Sequence, residues 1–105
     1  MNPSLDRESL ALCAPKLAQL SQQVLFDDVW KRPELTPRDR SLITLATLAA
    51  LGRLQQLPWH LNFARQNGLR DDEITEAFTH LAFYAGWPAA VSALGCQQEG
   101  KQACP

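Results

Sequence analysis

The stretch TPRDRSLITLATLAALG, Thr36 to Gly52, decides how the chain folds. A threonine suited to cap a helix is followed by a proline whose fixed φ suits a first turn, and Asp39 stands three places after the cap. A helix therefore begins at Pro37. Leu42, Leu45, Leu48 and Ala49 form one apolar stripe, and Ile43, Ala46 and Ala50 form a further apolar side, so this helix is expected to be buried on most faces. Gly52 ends it. No segment alternates apolar and polar residues over the length of a strand, and the expectation is an all-α chain.

The same punctuation organises the neighbours. Pro15 heads a block in which Leu17, Leu20 and Val24 make an apolar stripe, giving a first main helix that ends near Trp30 before Pro33 breaks the chain. Cys13 precedes it. After Gly52, the block Leu54 to Asn67 carries Leu57, Leu61 and Ala64 on one face, tolerates Pro58 in its first turn and stops at Asn67-Gly68. Asp71, Asp72 and Glu73 then place negative charge at a helix N-terminus, with Ile74, Phe78, Leu81 and Ala85 on the core face and Gly86 as the stop. Pro88 starts a last helix carrying Val91 and Leu94, expected to fray through the polar run from Gln97 to Gln102. The whole chain, residues 1–105, reads as a single domain.

Composition removes several classes of function. The 105 residues are 46% hydrophobic and 20% charged, ordinary for a globular chain, and the formal net charge is -1 with ten Lys and Arg scattered among eleven Asp and Glu. The basic footprint required by phosphate backbones is absent, so nucleic acid is not an expected partner. No run approaches the roughly 20 apolar residues that span a bilayer, and no membrane association is expected. Asp6, Arg7 and Glu8 interrupt the region where a secretory leader needs an apolar run, which points to the cytoplasm. Cys13, Cys96 and Cys104 form no CxxC pair, and their odd number fits a reducing compartment.

Two histidines are the candidate acid-base groups. His60 follows Trp59, and Gln56 lies one turn earlier on the same helix face. A packing histidine satisfied by a hydrogen bond is the alternative. His80 has Glu76 one turn before it and Tyr84 one turn after, a polar stripe in which a carboxylate can orient an imidazole; an ordinary surface ion pair is the alternative there. No third ligand with supporting spacing joins the two histidines, so no metal is expected. Arg40, in the first turn of the second helix, suits a bidentate clamp on a carboxylate, either of a ligand or of Glu76 or Asp39. Trp30, Trp59, Phe83, Tyr84 and Trp87 supply aromatic surface near these groups.

The segments Asp28-Val29-Trp30-Lys31-Arg32-Pro33, Arg40-Ser41-Leu42-Ile43-Thr44-Leu45-Ala46, His60 with the Asn67-Gly68 stop, and Tyr84-Ala85-Gly86-Trp87-Pro88 occur together in this order. In motif order and spacing the chain resembles the carboxymuconolactone decarboxylase family over roughly residues 26–94. The resemblance implies a compact helical bundle of the alkylhydroperoxidase D-like type, dominated by an antiparallel helix pair and assembled as a homotrimer or homohexamer. It also implies cofactor-independent acid-base chemistry on a small cyclic carboxylate or lactone. In that frame His60 moves a proton, Gln56 orients the substrate, and Arg40 or His80 holds its carboxylate, with His80 as the second acid-base candidate. Trp30, Trp59 and Tyr84 wall the site.

The chain departs from both characterised branches of the family. In the decarboxylases a glutamate lies one turn before the histidine, where this chain has Gln56, which hydrogen-bonds but does not exchange a proton at neutral pH. In the alkylhydroperoxidase D-like branch a CxxC pair precedes the histidine, at the positions occupied here by Arg53 and Gln56, and neither can form a disulfide. A peroxide-reducing protein and a non-catalytic oligomeric module that binds a small ligand are the other two readings.

Overall fold

The computed structural model describes residues 5–101, all of whose regular structure is helical. The chain divides in sequence after Pro37 into two compact units. In the first, α1 (Arg7–Cys13) starts from Asp6, whose carboxylate accepts the Ser9 backbone N–H at 2.7 Å. That bond holds the Asp6 carboxyl below its usual range. Cys13, expected ahead of the first helix, is the last residue of α1 and is exposed; Cys104 lies outside the described residues. The helix expected from Pro15 does begin there, as α2 (Pro15–Leu20), but it widens into a π-helical stretch over Ser21–Phe26 and ends in a 3-10 turn over Val29–Lys31. The rings of Phe26 and Trp30 stack with centroids 6.1 Å apart, and the Arg7 guanidinium lies 5.3 Å from the Phe26 centroid. One regular helix from Pro15 to near Trp30 was the wrong expectation, because period alone does not reveal a widened turn.

The second unit holds α3 (Pro37–Leu51), α4 (Leu57–Gln66), α5 (Asp71–Ala85) and α6 (Trp87–Lys101). Its core is Leu45, Ala49, Leu57, Leu61, Ala64, Leu69, Ile74, Phe78 and Ala93, with Leu42, Leu48, Leu81 and Leu94 packed against it. Full burial of a side chain such as Leu57 or Phe78 stabilises by about 1.5–3 kcal/mol, so these positions carry the unit. Of α3, only Ser41, Leu45 and Ala49 are buried, while Ile43 is 53% exposed and Ala50 is also exposed, which corrects the expectation of burial on most faces. In α4 the anticipated stripe of Leu57, Leu61 and Ala64 is the buried one, although the helix starts at Leu57 rather than Leu54.

Three glycines among the described residues take backbone conformations that a Cβ disfavours: Gly52, with φ of 72° after α3, Gly68, with φ of 102° after α4, and Gly86, with φ of 107° as the single residue joining α5 to α6. Buried polar groups tie the helices together. Asn67 Nδ2 donates to the Ser41 hydroxyl at 2.9 Å, linking the end of α4 to α3. Gln97, expected in a fraying tail, is fully buried on α6. Its Nε2 donates to the Asp71 carbonyl at 3.1 Å and to Asp71 Oδ1 at 3.2 Å, and its Oε1 accepts the Thr75 hydroxyl at 3.3 Å. The core face of α6 is therefore Ala90, Ala93 and Gln97, whereas Val91 is 53% exposed.

Candidate active site

An open groove of about 610 Å³ runs between α3 and α5, a size suited to a small ligand. Residues at one-turn intervals build both walls. Arg38, Leu42 and Ala46 come from α3; Glu73, Glu76, Ala77, His80, Leu81 and Tyr84 come from α5, and Leu69 closes the floor from the turn before α5. Alanines occupy two of its wall positions, and its lining combines apolar side chains with charged and polar ones, a mixture that suits a carbon skeleton with a charged head.

Glu73 is fixed at both oxygens. One accepts the Arg70 backbone N–H at 3.0 Å, capping α5, and the other is paired with the Arg38 guanidinium, tying the first turn of α3 to the first turn of α5. Arg38 Nη1 also lies 3.8 Å from an Asp39 carboxylate oxygen. Further along α5, the His80 and Tyr84 rings lie against each other with centroids 5.1 Å apart. The Glu76 carboxylate has no hydrogen-bond or ion-pair partner among the described residues, so of the partners left open for Arg40 from sequence, Glu76 is not one. Arg40 is half-buried on α3 and is not among the groove residues.

His60 stands elsewhere, on α4. Its ring is half-buried, edge-on to Trp59 at 4.9 Å between centroids and 6.5 Å from Phe63. Burial pushes its imidazole below the ordinary value, because a charged ring loses hydration there. Gln56 is the residue just before α4; its side chain is exposed and its carbonyl accepts the His60 N–H at 3.4 Å. Trp59 is 48% exposed. Trp30 belongs to the first unit. Of the residues singled out from sequence, the structure thus brings His80 and Tyr84 into the groove with Glu76, and keeps His60 and Trp59 on α4 with Gln56 just before it.

Sequence reasoning missed Arg38, Glu73 and the apolar floor. From sequence Glu73 signals only favourable charge at a helix start, and nothing local sets Arg38 apart as the groove's cation. No local signal pairs two residues separated by 35 positions. Among the described residues, no three His, Cys, Asp or Glu side chains gather as a metal-binding group, and no helix is long and apolar enough to cross a membrane.

Residues 15–99 match the carboxymuconolactone decarboxylase family. Over 74 residues, 70% of this chain and 55% of the relative, the sequence is 43% identical to a 4-carboxymuconolactone decarboxylase of Acinetobacter baylyi. Over 76 residues, 72% of this chain and 53% of the relative, it is 38% identical to a nitrosuccinic acid decarboxylase of Metarhizium robertsii. The chain belongs to the carboxymuconolactone decarboxylase family. It spans about half the length of these curated relatives.

Proposed function

We propose that this protein decarboxylates a small carboxylate and that the groove between α3 and α5 holds the substrate. The observation that carries the reading is the groove itself, in which a guanidinium, two carboxylates, an imidazole and a phenol surround an apolar floor. Departure of CO2 leaves its bonding pair on the carbon, which then takes up one proton. His80 is the groove's imidazole and delivers that proton; Tyr84 walls the substrate, and Arg38 positions its carboxylate. This places Arg38 in the role expected of Arg40.

A second acid-base position has its own support. Burial favours the neutral form of His60, which can accept a proton near neutral pH, and Gln56 lies in the turn just before it. Arg40, Trp30 and Trp59, expected to bind substrate, do not line the groove, and this reading gives them no substrate contact.

The deciding experiment measures CO2 release from small cyclic carboxylates and lactones by wild type, His80→Gln and His60→Gln, with thermal unfolding in parallel. General acid-base groups contribute about 10²–10⁴-fold, so His80→Gln should lose that much turnover with unfolding little changed. Loss confined to His60→Gln moves the proton-transfer role to α4. Undiminished turnover in both variants refutes the acid-base reading.

We also propose that the chain is one domain of a cytoplasmic homotrimer or homohexamer. The family match crosses the division after Pro37, which supports one domain. Phe83 is 77% exposed, Tyr84 81% and Trp87 66%, and aromatic surface concentrated around the α5–α6 joint favours burial against another copy.

A further inference from the structure

Glu73 fixes more than the end of its own helix. One of its oxygens accepts the Arg70 N–H on α5, and the other holds the Arg38 guanidinium from α3. The turn that carries it is itself clamped: Asp71 Oδ1 accepts Arg65 Nε and Nη2 from α4 at 3.1 and 3.0 Å, and Gln97 Nε2 from α6 at 3.2 Å. Asp39, the other carboxylate beside Arg38, stands 3.8 Å away. The place of the guanidinium in the groove is therefore set by α5, and not by the rotamer-rich stem that carries it from α3. His80 stands on the same helix and in the same groove, seven residues after Glu73, which is nearly two turns and about 10 Å along the axis. A guanidinium has five N–H donors, so Arg38 can bind a ligand carboxylate while it stays paired with Glu73.

We propose that Glu73 is a positioning residue that holds Arg38 about two helical turns from His80, so that the carboxylate bound by Arg38 is one the reaction keeps. The inference rests on the groove being the substrate site. A hydrogen bond of about 3 Å at each end leaves about 4 Å between a carboxylate oxygen on Arg38 and an atom that meets the imidazole. That is roughly three bonds of an extended chain. The carbon next to a carboxylate lies only two bonds from its oxygens, so it does not reach. In the reaction, the bond to the departing CO2 breaks with its pair left on the carbon, and His80 gives its proton to that same carbon. The departing carboxylate therefore lies beside His80, beyond the grasp of Arg38. Placing the guanidinium on the retained group also leaves the departing carboxylate without a cation that would favour its charged ground state, and only interactions stronger in the transition state accelerate the step.

The test uses acetate, whose methyl is the carbon attached to the carboxylate, and pentanoate, whose methyl lies three bonds further on. Each is titrated by NMR into the isotope-labelled full chain. A shift of the Arg38 Nε–H signal reports the anchored carboxylate, and a nuclear Overhauser effect from the ligand methyl to the His80 ring reports its reach. In the wild type both acids should shift Arg38, and pentanoate alone should give the His80 contact. Glu73→Gln keeps an oxygen for the Arg70 N–H but gives up the charge that holds Arg38. Glu76, which has no partner among the described residues, is then the next carboxylate in the groove, about 4.5 Å nearer His80 along the axis. Acetate should now give the contact as well, a change of reach that lost stability alone does not produce. Glu76→Gln leaves the Arg38–Glu73 pair in place and should keep the wild-type pattern, which supplies a second variant if Glu73→Gln does not fold. An acetate contact or a missing pentanoate contact in the wild type, an unchanged pattern in folded Glu73→Gln, or a changed one in Glu76→Gln overturns the positioning role and leaves the groove as a carboxylate site. If neither acid shifts Arg38 or touches His80, the groove reading and this inference fall together.

Discussion

Gln97 offers a quantitative check on the packing of the second unit. Its side chain is fully buried, and three hydrogen bonds join α6 to Asp71 and Thr75 in the first two turns of α5. Gln97→Met keeps similar bulk but removes both donors to Asp71 and the acceptor for Thr75. Thr75 is exposed and regains a partner from water, so the cost rests on the two bonds to Asp71, at about 1 kcal/mol each. The variant should lose about 2 kcal/mol, or roughly 10 °C in unfolding temperature for a domain of this size. Gln97→Ala adds a cavity and should lose about 3–4 kcal/mol. Gln97→Glu keeps the shape but turns an oxygen toward the Asp71 carbonyl and carboxylate. Burial and Asp71 both raise the introduced carboxyl's folded-state pKa, so its penalty is absent below the unfolded value of about 4.3 and grows as pH rises from there through the folded value. Urea unfolding at matched protein concentration, at pH 4 and pH 7, measures all three. If Gln97→Met lies within about 0.5 kcal/mol of wild type, the bonds to Asp71 do not hold α6 in place, and the argument fails.

Three further outcomes are expected. Because burial lowers the folded-state pKa of His60, its contribution to stability is fully present above the unfolded value of about 6.5 and is lost as pH falls from there through the folded value. His60→Gln should flatten that part of the stability profile in urea unfolding between pH 5 and pH 8; an unchanged slope counts against the burial. Desolvation and the nearby Glu99 charge push the Cys96 thiol up, away from the thiolate needed for peroxide reduction, so replacing Cys13, Cys96 and Cys104 together with Ser should leave turnover unchanged. Peroxide consumption abolished by changing Cys96 or Cys104 alone would instead favour the peroxidase reading. Light scattering should report a trimer or hexamer for wild type and smaller species for Phe83→Ser with Trp87→Ser, and a wild-type monomer at micromolar concentration would contradict the proposed assembly.

The helical framework of the second unit was legible because local chemistry decides it. Pro37, Gly68, Gly86 and Pro88 mark helix ends through backbone constraints that act residue by residue, and the spacing of Leu57, Leu61 and Ala64, or of Ile74 and Phe78, reports a buried face directly. The start of α1 is also encoded, in the Asp6 carboxylate that accepts the Ser9 N–H. Gln97 escaped because a polar residue among polar neighbours signals solvent until its partners on α5 are known. The candidate site was half legible for the same reason. Glu76, His80 and Tyr84 share one helix, whereas the Arg38–Glu73 pair and the apolar floor exist only once α3 and α5 lie side by side.

The π-helical stretch Ser21–Phe26 is where the N-terminal unit can absorb a change of chain length. Its hydrogen bonds skip one residue more than those of an α-helix, so a single deletion within it allows ordinary winding to resume. A widened turn winds less per residue than an α-helix, so losing one residue and tightening the others largely cancel, and the segments on either side keep nearly the same relative direction. The contact of Arg7 with Phe26 should therefore survive. A one-residue gap at this point in an alignment is a change of winding that leaves the preceding helix where it was.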